Sequence, residues 1–169
     1  HPEGHDGSGG KSLIVDPPDG RIPYQPWAKA RVDTHWATYW NPVQQCIADT
    51  PPRQAYSAGA LQIVQTLGYV FFMTEQLRTY RVIPTTPRSH VGANIKLYMG
   101  DSRGRLEGNT LVVDVTNFND QTWLDSHGTI HSDALHVVER WTLVGPNRLQ
   151  YEATLEDAKA FTRPWKIAF

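Results

Sequence analysis

From Leu61 onward the chain breaks into short runs in which apolar and polar residues alternate, with turn-forming residues between them. Side chains on a strand project to opposite faces in turn, so a period of two marks a half-buried β-strand. The runs are Leu61 to Thr66, Tyr69 to Glu75, Arg78 to Ile83, Ile95 to Met99, Thr110 to Phe118, Ala134 to Val144, Leu149 to Leu155 and Arg163 to Phe169. Leu67-Gly68, Gly108-Asn109 and Gly145-Pro146-Asn147 separate neighbours and have the composition of hairpin turns. Thirteen glycines and twelve prolines suit so many turns, and no long helical repeat interrupts the series.

The spacing therefore predicts an all-β chain: an antiparallel meander closing into a lipocalin- or calycin-like barrel, since closure removes exposed strand edges. Residues 61–169 form the expected barrel domain. Residues 1–60 read as an irregular, Pro-rich segment with short helical turns lying on it. In that segment Pro26 opens a short helix through Trp27 to Arg31, because proline suits a first helical turn. A further turn is expected around Val43 to Ala48.

Composition narrows function by exclusion. Lys and Arg number 16 against 17 Asp and Glu, without the basic excess of a nucleic-acid-binding domain. No stretch approaches the roughly 20 apolar residues of a membrane helix, so a soluble protein without membrane insertion is expected. A single cysteine, Cys46, permits no disulfide framework and reads as an ordinary small thiol. The start at His1, with a Gly-rich polar stretch to Gly10, suits a chain released by signal-peptide cleavage. A free His1 amine and imidazole would also suit copper chelation.

Several long blocks are familiar. Met99-Gly-Asp-Ser-Arg-Gly-Arg-Leu-Glu-Gly-Asn-Thr-Leu-Val-Val-Asp-Val-Thr-Asn-Phe118, His131-Ser-Asp-Ala-Leu-His-Val-Val-Glu-Arg-Trp141 and Thr162-Arg-Pro-Trp165 resemble blocks of a widespread family of uncharacterised secreted bacterial proteins. Leu13 to Ile22, Gln62 to Thr66, Thr122 to Asp125 and Tyr151 to Asp157 match it as well. Leu106 and Ala158 depart from the family pattern, which more often has Trp and Pro there. The resemblance implies export, to the periplasm or beyond, and carries no reaction with it.

Candidate chemistry concentrates in Asp125, His127, His131, Asp133, His136, Glu139 and Arg140. Histidine with carboxylate can act as acid and base near neutral pH or ligate a metal. Glu139 alternates with Leu135, Val137, Trp141 and Leu143 and so points inward, where an unpaired carboxylate is costly. Either it pairs with a buried arginine such as Arg163, or it lines a cavity as an acid or base. The catalytic candidates are Glu139, His131, Arg163, Asp133 and Arg140. The ligand-binding candidates are Trp123, Trp36, Trp40, Asn117 and Arg103, with Asn117 read in the first place as a hydrogen-bonded core amide. His127, His131 and His136 are the candidate metal ligands; no cofactor is otherwise expected. No nucleotide-binding glycine motif or GxSxG elbow occurs.

The leading expectation is a secreted or periplasmic barrel that binds a small organic molecule, with a cofactor-free lyase or hydrolase activity using Glu139 and His131 as its acid–base pair. The alternatives are a non-catalytic binding module in which loop tryptophans grip the ligand, and a metal-dependent enzyme using His127, His131 and His136.

Overall fold

The computed structural model describes residues 12–57 and 59–169, the side chains of Trp36 and Leu77 excepted. The polar start at His1 to Gly10, with the chelation expected at His1, lies outside the described residues. Nine strands form among those described: β1 Ile14–Asp16, β2 Leu61–Thr66, β3 Tyr69–Thr74, β4 Tyr80–Pro84, β5 Asp101–Glu107, β6 Thr110–Thr116, β7 His136–Gly145, β8 Arg148–Glu156 and β9 Trp165–Ala168. Helix α1 spans Pro26–Thr38, and a single turn, α2, spans Arg53–Tyr56.

All pairings are antiparallel, but the expected barrel does not form. The strands make a six-stranded sheet in the order β1-β9-β8-β7-β6-β5 and a separate three-stranded sheet, β2-β3-β4. No ladder joins β4 to β5, so neither sheet closes on itself. The two pack face to face instead, with Val70, Phe72 and Ile83 of the small sheet against Val113, Val137, Trp141 and Tyr151 of the large one. Close approach is possible where β4 passes β5 because Gly104 has no side chain: a Cβ there would lie 2.8 Å from Ile83 Cγ2. At one end the sheets splay, leaving a cleft of about 380 Å³ between Ile63, Val70 and Phe72 on one side and Leu106, Trp141 and Leu149 on the other.

Four local expectations also change. Residues Ile95 to Met99 contribute one isolated bridge, Leu97 to Phe118, and no strand. Asp101-Ser102-Arg103-Gly104 has the composition of a loop, but Asp101–Glu107 is an edge strand, paired with β6 along its whole length. Helix α1 runs to Thr38, past the expected end at Arg31, although Val32, Asp33 and Thr34 are modest helix formers; the added turns carry His35 onto Trp123. It stops at Tyr39, whose backbone is extended, φ −122° and ψ 148°. The N-terminal segment is not only surface cladding, since β1 pairs with β9 and extends the large sheet.

The centre of the molecule is a polar tie between the sheets. Glu139, 1% exposed on β7, accepts a hydrogen bond from Tyr151 Oη on β8 at 2.9 Å and is salt-bridged to Arg81 Nη2 on β4. The Arg81 guanidinium also lies over the Phe72 ring, 5.1 Å from its centroid, an attraction that adds to the ion pair. A carboxylate here would be untenable without these partners. Burial, and then the charge of Glu139, push the Tyr151 hydroxyl well above its ordinary pKa, so it stays a donor.

Glu139→Ala should cost about 3–5 kcal/mol, because it leaves a buried guanidinium with no counter-charge. Tyr151→Phe should cost about 1.5–3 kcal/mol, the worth of a hydrogen bond to a charged group. Urea unfolding of both variants checks this; small, equal losses would show that Arg81 finds another counter-charge.

Candidate functional site

The structure separates the five residues read as catalytic. Glu139 is sealed by Arg81 and Tyr151, and the arginine it pairs with is not Arg163. Arg163 instead grips Asp16 on the surface through both terminal nitrogens, at 3.3 and 3.0 Å, and so fastens β1. Arg140 binds Glu107 at 3.1 Å on the outer face. Asp133 takes Lys159 at 2.6 Å. His131 is buried in the loop after β6, where its Nδ1–H donates to the Ser132 carbonyl at 2.9 Å. With that proton placed, Nε2 accepts from the Thr122 hydroxyl at 2.8 Å. Both nitrogens of the expected acid–base partner are therefore in use.

The histidine trio read as metal ligands is likewise not assembled. His127 is exposed beside Ser126, His131 holds Thr122, and His136 faces Asp114 and Glu156 across the outer face of the large sheet. Among the described residues no three His, Cys, Asp or Glu side chains encircle a common point.

Much of the polar sequence from Asp125 to Asp133 holds the loop itself. Asp125 accepts from the amides of His127 and Thr129 at 2.8 and 3.0 Å and from the Thr129 hydroxyl. Asp157 at the end of β8 accepts from the Ser132 amide and hydroxyl at 2.6 and 2.8 Å. Tyr24 Oη reaches Thr129 at 3.0 Å, and Tyr56 Oη donates to the Leu124 carbonyl. A loop with this many internal partners is a rigid wall.

That wall and helix α1 enclose a groove of about 520 Å³. Trp123 and His131 line it from the loop side; Trp27, His35, Tyr39 and Trp40 line it from α1 and the chain after it. Trp40 is 74% exposed, Tyr39 55% and Trp27 49%. Trp27 is held by a 2.9 Å bond from Nε1 to the Lys159 carbonyl. His35 bridges the two walls. Its ring lies 4.9 Å from Trp123 and 4.7 Å from Tyr39, and its Nδ1–H donates to the Gly128 carbonyl at 3.3 Å. Arg31, Gln45, Asp120 and Gln121 place polar groups around the aromatic rings. Of the expected ligand-binding residues, Trp123 and Trp40 thus belong to one groove, and the side chain of Trp36 lies outside the described residues.

Asn117 and Arg103 work elsewhere, as braces for one loop. Asn117 has a left-handed backbone, φ 61°, which this residue type tolerates. Its amide donates to the carbonyls of Val91, Gly92 and Ile95 at 3.4, 3.1 and 3.0 Å. Arg103 donates to the Ser89 carbonyl at 3.0 Å and to Asp101 Oδ1 at 2.7 Å. Its Nε and Nη1 are thus engaged within the protein. Both braces fix His90, a residue the sequence reading passed over. It lies in no alternating run, and only the fold brings it to Asp101 and Asp114.

No protein-family model, curated protein or solved structure matches this chain.

Burial lowers the pKa of His131, against the opposing pull of the Ser132 carbonyl and Asp157, and burial also lowers that of His35. Each folded imidazole then binds a proton less readily than its unfolded counterpart, so stability is full above the unfolded value of about 6.5 and is lost as pH falls below it. Thermal midpoints measured from pH 7.5 to 5 should fall, and His131→Gln should flatten part of that decline. A wild-type midpoint that rises on acidification would contradict the buried neutral rings.

Proposed function

We propose that this chain is a binding module for a small oxygen-rich ring molecule of the carbohydrate class, held in the groove between α1 and the 120–132 loop. The observation that carries this reading is the display of three aromatic side chains, Trp27, Tyr39 and Trp40, in water around one concavity. Large exposed apolar groups grouped at a concave site mark a binding surface. Aromatic faces accept the C–H faces of a sugar ring, while Arg31, Gln45, Asp120 and Gln121 offer donors and acceptors to its hydroxyls. Burial keeps His35 and His131 toward their neutral forms, which suits an uncharged ligand.

A rigid loop wall supports the same reading, since preorganised contacts lose less entropy on binding. Glu139 and His131 do not converge as an acid–base pair, because their polar atoms are engaged by Arg81 and Tyr151 and by Thr122 and Ser132 respectively. An exported setting, implied by the resemblance of the long sequence blocks, is consistent with capture of a soluble saccharide.

Titration with a panel of neutral mono- and oligosaccharides, followed by tryptophan fluorescence and calorimetry, should find binding. Trp40→Ala and Trp27→Ala should each weaken it by roughly tenfold or more, the worth of about 1.4 kcal/mol of stacking. Binding that survives both substitutions unchanged, or none across the panel, would overturn the assignment.

A further inference from the structure

On the outer face of the large sheet, away from the hydrogen-bonded ladders, two imidazoles and three carboxylates form an alternating chain. His90 Nδ1 faces Asp101 Oδ2 at 2.9 Å, and His90 Nε2 faces Asp114 Oδ1 at 3.1 Å. His136 Nε2 faces the same Asp114 oxygen at 3.3 Å, and His136 Nδ1 faces Glu156 Oε2 at 3.6 Å. All four ring nitrogens thus meet carboxylate oxygens. Two neutral rings carry only two N–H groups between them. At His90, where both contacts are within hydrogen-bond distance, one of them then sets a nitrogen lone pair against a carboxylate oxygen, which is unfavourable unless a positive charge, on the ring or on a bound ion, lies there.

We propose that His90 Nε2, His136 Nε2 and the Asp114 carboxylate are a binding site for one divalent transition-metal ion of the zinc type. Imidazole and carboxylate are ligands that such ions accept, and three protein ligands leave a fourth position open. Ligand atoms about 2.0–2.1 Å from a tetrahedral ion lie about 3.3 Å apart, and the two Nε2 to Oδ1 separations are 3.1 and 3.3 Å. The outer partners fit as well. A metal-bound histidine usually gives its second N–H to a carboxylate, which fixes the tautomer and turns the ring; Asp101 and Glu156 stand in those places.

The first of these rings is rigidly placed. Asp101 Oδ2 also accepts the Val91 amide at 3.1 Å, Arg103 holds Asp101 and the Ser89 carbonyl, and Asn117 clamps the carbonyls beyond. What is not yet in place is the third edge of the triangle, because Asp114 Oδ1 stands between the two rings and no three groups encircle one point. Closing it takes rotation of Asp114 and His136, which are 36% and 34% exposed on the sheet surface. A groove of about 400 Å³ lined by His90, Lys96, Asn117 and His136 gives the ion and a further ligand access from solvent.

The test uses the full chain without an affinity tag, stripped by chelator, with His1 and His5 replaced by alanine to remove N-terminal chelation. Calorimetric titration with zinc should show about one equivalent bound, and cobalt should give the visible absorption of a tetrahedral site. His90→Ala and His136→Ala should each weaken binding by about 100-fold, and Asp101→Asn, which spares all three ligands, by about 10–100-fold. Circular dichroism confirms that each variant is folded, and His136→Gln replaces His136→Ala if the alanine variant is not. Absence of stoichiometric uptake, or uptake indifferent to His90 and His136, would overturn the proposal and leave protons as the charge that balances the chain.

Discussion

The ion pair between Arg81 and Glu139 is the point at which the two sheets become one molecule. Neither sheet closes, so no ladder holds them together, and apolar contact alone sets no register between stacked faces. A charged pair does, because it is tolerated in the interior only when its partners meet. Arg81 arrives from the three-stranded sheet, Glu139 and Tyr151 from adjacent strands of the six-stranded one. Phe72 and Trp141, packed edge to face with centroids 4.8 Å apart, and Tyr151 against Trp141 at 4.5 Å, surround the tie with aromatic material. The inward carboxylate thus makes the sandwich specific.

With the sheets fixed, the chemistry falls to what they carry. The 117–135 loop is braced by Asp125, Asp157, Tyr24 and Tyr56 and becomes one wall of the aromatic groove. The loop that bears His90 is braced by Asn117 and Arg103 and lies across the outer face of β5 and β6. Polar residues that look reactive in the sequence are in large part supports for other segments.

How far the sequence revealed this depends on the range of the interaction. Alternation exposed most strands and the inward direction of Glu139, since both are local consequences of the pleat. It missed β5, whose Asp-Ser-Arg-Gly-Arg composition resembles a turn; pairing with β6 overrides that preference. Alternation points to Arg163 on the last strand as a partner for Glu139, whereas the actual partner, Arg81, lies 58 positions away in the chain. Barrel closure was inferred from strand number, but closure needs a β4–β5 ladder, and no local signal reports one. His90 escapes a local reading for the same reason: its partners Asp101 and Asp114 come from two separate strands, β5 and β6.

The three-residue strand β1 carries one more consequence. Strand β9 has alternate apolar residues, Trp165 and Ile167, and without β1 it would end the sheet as a row of unmet amides and carbonyls. β1 covers it briefly, with an irregular register, and is followed at once by Pro17 and Pro18, which cannot donate to another strand. The large sheet is therefore stoppered on this side: the covering piece satisfies the edge yet is too short and too proline-bound to recruit a second chain. Arg163, gripping Asp16, is the latch on that stopper, and releasing it would open the route by which β-proteins stack into fibres.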